Sequence, residues 1–239
     1  MCRVRVFIDC GSRCAGRGEM TGRLMVAAFL LGTGCYYGAM QGARTLGEGN
    51  LSFSGNLMMP AFFSSSDKRE AEQSREDFIE TYGNASFAMG ATDCIDLGFC
   101  AMAYGLGPQM KYMFTDPASL TAVSVLGGMT YVMPMQVVLP QGSLAAGRLL
   151  GRDLEVYAGY DAGYGPDLAN IPESPDGSRD WDEVGNSFFH DIRAGCVYTI
   201  KGSGSRHYGG IVPTAVTFEF ALPLDLDKNI IVAGLGVTY

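Results

Sequence analysis

The last eleven residues constrain this chain more than any other stretch. Asn229-Ile-Ile-Val-Ala-Gly-Leu-Gly-Val-Thr-Tyr239 carries a period of two. Ile231, Ala233, Leu235, Val237 and Tyr239 fall on one face, and Ile230, Val232, Gly234, Gly236 and Thr238 on the other. Successive side chains of an extended strand point to opposite faces, so this segment is a strand with one uniformly apolar side.

The same alternation recurs upstream. Leu51, Phe53, Gly55 and Leu57 stand opposite Asn50, Ser52, Ser54 and Asn56. Ala85, Phe87 and Met89 share a face, as do Ile95, Leu97, Phe99, Ala101 and Ala103, which alternate with Asp96, Gly98 and Met102. Met110, Tyr112 and Phe114 alternate with Gln109 and Lys111, and Leu154, Val156, Ala158 and Tyr160 with Asp153, Glu155 and Gly159. Ile192, Ala194 and Tyr198 oppose Asp191, Arg193 and Thr199, and Val216, Phe218 and Phe220 alternate with Thr217 and Glu219. Residues 119–126 and 131–139 are more continuously apolar and are counted as strands without an assigned face; 142–150 reads as a turn or part of another short strand. The total is ten strands, with eight or twelve if the 119–152 region is divided differently. Gly90-Ala-Thr-Asp93 and Asp116-Pro-Ala-Ser119 are tight-turn sequences, whereas 60–77 and 164–186 are long polar connections. With ten strands, the first and seventh connections leave from the same end, opposite both termini. Residues 66–82 have helical composition and a Ser or Asp cap, which predicts a short helix in the first loop.

Composition narrows the setting. The chain is 47% hydrophobic and 18% charged, with 33 glycines and mean hydropathy +0.11. That excludes disorder, and glycine without a three-residue period excludes collagen. A net charge of −8 excludes a generic nucleic-acid binder, which needs a basic surface. The charge is unevenly spread. Five arginines and two acids precede Cys35, and 12 Lys plus Arg against 23 Asp plus Glu follow from it.

The N-terminal segment reads as an export leader. Leu24-Met-Val-Ala-Ala-Phe-Leu-Leu31 is too short to span a bilayer, which takes roughly 20 apolar residues, but it suits the apolar core of a secretory signal. Residues 1–19 hold Cys2, Cys10 and Cys14 without periodicity, so they read as a false start with translation beginning at Met20, or as a first segment discarded with the leader. The expected organisation is a leader over 1–34 (false start 1–19, signal peptide 20–34), a periplasmic segment over 35–48 and a β-barrel domain over 49–239. Leu31-Gly-Thr-Gly-Cys35 resembles the lipobox of bacterial lipoproteins, which implies lipid attachment at the Cys35 thiol. The resemblance is imperfect, because Gly32 stands where the usual pattern has Leu.

The alternating terminal strand ending on Tyr239 resembles the last strand of Gram-negative outer-membrane β-barrels. That resemblance implies an antiparallel up-and-down transmembrane barrel of about ten strands. It further implies that Ile231, Ala233, Leu235, Val237 and Tyr239 form the signal read by the barrel-insertion machinery, with outer-membrane lipid as the surrounding partner. Strand-end aromatics, Phe62, Phe63, Tyr82, Tyr104, Tyr131, Tyr160, Tyr164, Phe188, Phe189 and Tyr239, would suit interfacial girdles. A ten-strand lumen is narrow and largely filled by side chains, which favours a structural, binding or narrow-channel role in the envelope over an open pore.

Chemistry-bearing patterns are sparse. Cys94 and Cys100 lie roughly 20 Å apart on an extended strand and cannot pair there; with Cys196 they read as small strand residues. Neither cysteine nor histidine spacing suggests zinc, and phosphate-loop and nucleophile-elbow patterns are absent. The acidic run from Asp161 to Glu183, with Trp181, reads as a solvated loop. Hence no catalytic group, cofactor or metal is expected. Two alternatives remain. One is a barrel enzyme acting on lipid with His190 as base, needing a serine and an acid within reach. The other is a lipid-tethered soluble β-sandwich or small barrel binding an apolar ligand. In that case the apolar strand faces point inward, whereas the membrane reading turns them outward.

Overall fold

The computed structural model describes residues 39–66, 68–69, 82–102, 105–133, 135–167, 180, 183–200, 213–225 and 230–239. Ten strands run β1 (Leu51–Phe62), β2 (Tyr82–Thr92), β3 (Ile95–Met102), β4 (Gly105–Met113), β5 (Thr121–Val132), β6 (Val137–Leu150), β7 (Leu154–Pro166), β8 (Asn186–Thr199), β9 (Ala215–Pro223) and β10 (Ile230–Thr238). Each pairs antiparallel with its neighbours in sequence, and β1 pairs with β10, closing the sheet. The closing register runs from Ser54 opposite Thr238 to Phe62 opposite Ile230. Phe53 and Tyr239 exchange backbone hydrogen bonds of 2.8 and 3.1 Å just beyond it. Closure removes the unpaired edges that an open sheet would expose.

The apolar faces point outward. Leu51 is 62% exposed, Leu57 45% and Leu235 39%, while Ser54, Asn56, Asp96, Lys111, Glu155 and Glu219 are buried. The soluble reading, with apolar faces lining a core, is therefore overturned. Exposed aromatics form two rings. Phe53, Phe114, Tyr198 and Tyr239 lie near the end that holds both described termini, and Phe63, Tyr131, Tyr164 and Phe188 near the opposite end. Phe189, expected in a girdle, instead points inward and is buried in an apolar cluster against which Phe62, also expected in a girdle, packs.

The first and seventh connections leave from the end opposite the termini, called here the loop end, as the strand parity requires. Their interiors, including most of the expected 66–82 helix and Trp181, lie outside the described residues. At Asp116 the expected tight turn forms, with Ser119 N–H donating to the Asp116 carbonyl at 2.9 Å and Ala118 N–H to its carboxylate at 2.8 Å. One strand is misplaced in the sequence reading. The 131–139 run is not a strand but spans the β5–β6 turn, where Gln136 has φ 54°, and 142–150 belongs to β6. The error arose because Val132-Met-Pro-Met-Gln136 is an apolar turn inside an apolar run, which hides the boundary.

Candidate functional site in the barrel lumen

The barrel interior is occupied by the chain's own N-terminal segment. Residues 35–48 are expected ahead of the barrel in the periplasm; their described part enters the lumen instead. Met40 and Ala43 are buried at 3% and 0% exposure. The wall's backbone groups are spent on the strand ladder, so charged lumen side chains must find partners elsewhere. The inserted backbone supplies them.

Three wall carboxylates each accept from a plug N–H. Met40 donates to Glu219 Oε1 at 2.9 Å, Ala43 to Glu155 Oε1 at 3.1 Å, and Leu46 to both Asp96 oxygens at 3.0 and 3.1 Å. Two wall cations bind plug carbonyls. Lys111 Nζ donates to Gly42 and Arg44 at 3.0 and 3.2 Å, and Arg193 Nη1 to Gln41 at 2.9 Å. Gln41 Nε2 donates to Gln109 Oε1 at 3.0 Å, and Arg44 reaches the Pro117 and Ser119 carbonyls in the β4–β5 turn.

Arg193, only 2% exposed, ties the wall together. Its Nη1 meets Glu219 Oε2 at 2.9 Å, its Nε meets Asp161 Oδ2 at 2.9 Å, and its Nη2 donates to Ser143 Oγ at 2.8 Å. Tyr157 O–H donates to the same Glu219 oxygen at 2.7 Å, and the guanidinium lies 5.4 Å from the Tyr157 ring centre. β6, β7, β8 and β9 thus share one buried charged cluster.

Glycines on inward positions make the room. A Cβ on Gly147 would stand 2.5 Å from Glu155 Oε1 and 3.0 Å from Ala43 Cβ. One on Gly90 would overlap the Gly47 carbonyl where the segment crosses the barrel rim. That rim crossing is hydrogen-bonded, Gly49 N–H to the Gly90 carbonyl at 2.8 Å and Gly90 N–H to that of Asn50 at 2.9 Å. Gly47 and Gly49 hold φ of 82° and 78°, a left-handed backbone that glycine adopts without strain. Met40 holds φ 48°, which a side chain rarely tolerates and which persists only where packing enforces it.

Along its length the lumen changes character. At the loop end Met58, Val132, Leu139, Phe189, Ile230 and Val232 form an apolar layer completed by Met40. The charged cluster lies beneath it. Toward the terminal end a vestibule of about 570 Å³ opens, lined by Ser54, Ser86, Asp96, Lys111, Glu155 and Thr217 among others. A cavity of about 30 Å³ beside Ala39, Gln109, Gln141 and Asp161 is water-sized.

The residues singled out from the sequence fall elsewhere. Ile231, Ala233, Leu235, Val237 and Tyr239 lie on the outer face of β10. Cys35 lies outside the described residues, as does His207. Cys100 and Cys196 are free thiols, as expected of plain strand residues, but Cys94 in the β2–β3 turn is disulfide-bonded. His190 is on the outer face of β8. Its Nδ1 sits 3.1 Å from the Tyr160 hydroxyl, with the Phe188 ring centre 5.2 Å away. Among the described residues, the neighbours of this imidazole are thus Tyr160 and Phe188 rather than a serine and an acid. Sequence reasoning missed the plug because Ala39-Met-Gln-Gly-Ala-Arg-Thr-Leu46 has neither period. The available signal was indirect: mixed charges at mid-strand positions of a narrow lumen call for partners beyond those the wall itself supplies.

No family model matches the chain, and no curated protein matches it. Among solved structures, the N-terminal β-barrel domain of Pseudomonas aeruginosa OprF matches with 14% identity and a TM-score of 0.32 over 80% of this chain and 98% of that one. At that score the barrel assignment rests on the strand pairing itself.

Proposed function

We propose that this chain is an outer-membrane β-barrel protein of a Gram-negative bacterium, exported by a signal peptide and held closed by its own N-terminal segment, with a structural or binding role in the envelope and no catalytic one. The observation that carries the reading is the inverted polarity of the barrel. Leu51, Leu57, Leu144 and Leu235 face outward while Glu155, Arg193 and Glu219 are buried inside. Water favours the opposite arrangement, whereas lipid selects this one, because a membrane barrel shows an apolar band outside and a polar interior. Strands of 8–14 residues are of the length a tilted membrane strand needs, about 9–11.

The outward row Ile231, Ala233, Leu235, Val237 and Tyr239 serves in this reading as the signal for the barrel-insertion machinery. Acylation at Cys35 meets a geometric condition. Ala39 is inside the barrel and the segment runs from there toward the terminal end. The four residues of chain from Ala39 back to Cys35 reach at most roughly 14 Å. That reach bounds how far an acyl chain on Cys35 can stand from Ala39.

Fractionation tests the location and gel migration the fold. The protein is expected in the outer-membrane fraction, migrating faster unheated than boiled. Full solubility without detergent would overturn the reading. Intact mass of the mature N-terminus separates acylated from unmodified Cys35.

A further inference from the structure

We propose that segment 39–46 is a displaceable plug, and that its withdrawal toward the terminal end opens a cation-selective pathway through the lumen. The proposal rests on the membrane-barrel reading above. Four independent features point to it.

The segment meets the wall charges through its backbone, and side-chain bonds from Gln41, Arg44 and Thr45 add to its hold. The bonds to Glu219, Glu155, Asp96, Lys111 and Arg193 all use plug N–H or C=O groups, which water can replace once the lumen hydrates. Small residues, Ala39, Gly42 and Ala43, present little side chain to grip. A hinge exists at the rim, where Gly47 and Gly49 flank Glu48 with positive φ. Space exists beside the hinge in the vestibule of about 570 Å³. Finally, the seal at the loop end contains a plug residue, for Met40 packs into the apolar layer of Met58, Val132, Leu139, Phe189, Ile230 and Val232. When the segment leaves, Met40 leaves that layer.

The walls then decide what passes. Among the described residues, the inward charges on the strands are Asp96, Glu155, Asp161, Asp191 and Glu219 against Lys111 and Arg193. Withdrawal removes Arg44 as well as the three plug N–H donors. Asp96, Glu155 and Glu219 are left at successive heights, each short of one partner. A small hydrated cation satisfies those carboxylates and an anion does not, because a low-dielectric wall focuses the field of its excess charge.

The test uses the full chain in planar bilayers, with insertion first established by heat-modifiable migration of the same reconstituted sample. Ala43→Cys with Gly147→Cys brings two Cβ atoms to about 3 Å, so a separation of roughly 0.5–0.8 Å more reaches disulfide geometry. The parent protein is expected to show intermittent openings whose reversal potential in a KCl gradient has the sign of potassium selectivity. The oxidised double variant is expected to be silent and to regain openings on reduction, while Ala43→Cys alone behaves like the parent. Met40→Ala, which thins the seal without touching the wall charges, is expected to raise the open probability several-fold. Failure to insert overturns the membrane reading and this proposal together. Verified insertion with no current in the parent or in Met40→Ala, openings that persist under the disulfide, or chloride selectivity overturns the proposal alone.

Discussion

Replacing Arg193 by Met tests whether the buried charged cluster is a stabilising unit. The substitution keeps an apolar stem of similar reach but removes every donor. Glu219, fully buried, loses its ion pair at 2.9 Å, Asp161 loses its own at 2.9 Å, and Ser143 and the Gln41 carbonyl each lose a donor. Removing one member of a buried pair costs about 3–5 kcal/mol, since a charge is left without compensation. Two features place Arg193→Met at the lower end. Glu219 still accepts from Met40 N–H and Tyr157 O–H, and Asp161 is 16% exposed and can recruit water. The expected loss is about 3 kcal/mol. Adding Glu219→Gln removes the stranded charge yet keeps a carbonyl for Met40, so the double variant is expected to recover about 2 kcal/mol. Urea unfolding in phospholipid vesicles, followed by circular dichroism and band shift, reads both values at constant m. A single variant within about 0.5 kcal/mol of the parent, or a double variant no better than the single, would refute the cluster's role.

Three further outcomes follow from the same geometry. Gly147→Val should lose about 1–3 kcal/mol by crowding Glu155 and Ala43, and should expose Arg44 to trypsin; Gly55→Ala, whose Cβ meets nothing within 4 Å, should do neither. Leu57→Lys on the outer face should destabilise the inserted barrel by about 2–4 kcal/mol if it lies near the bilayer midplane, and Leu51→Lys, at the rim, by about 0–1 kcal/mol; equilibrium unfolding in vesicles measures both. Deleting Tyr239 removes its paired backbone bonds to Phe53 as well as the terminal aromatic, and should slow assembly in pulse-chase folding assays while the barrel, once formed, keeps its heat-modifiable migration.

What the sequence made legible follows from where contrast exists between faces. In β1, β3, β4, β7, β9 and β10 an apolar row faces a polar or small row, as with Leu51, Phe53 and Leu57 against Ser52, Ser54 and Asn56, so strand, face and closure order could all be read. Contrast fails across β5 and β6. The outward row of β6 includes Gly142, Ala146 and the charged Arg148, the inward row includes Ala145 and Gly147, and an apolar run in the sequence crosses the end of β5 without a break. Strand number survived that failure because the misplaced 131–139 strand stood in, one for one, for β6. The plug was illegible for a different reason. Periodicity reports segments that share a wall, and residues 39–46 meet the wall charges through main-chain groups that every sequence possesses. Its trace lies in the residues that hold it, Asp96, Lys111, Glu155, Arg193 and Glu219, and in glycines such as Gly147 that leave it room.

The central claim is that lipid surrounds the barrel and the charged cluster lies within. Site-directed spin labelling of the protein in vesicles measures this residue by residue through collisions with oxygen, which concentrates in lipid, and with a water-soluble nickel chelate. Labels at Leu57, Leu144 and Leu235 are expected to meet oxygen and exclude nickel, while those at Asn56, Ser143 and Gly236 are shielded from lipid, giving a period of two along each strand. Labels at Leu57, Leu144 and Leu235 that are shielded from both probes, or reached by nickel alone, would contradict the account.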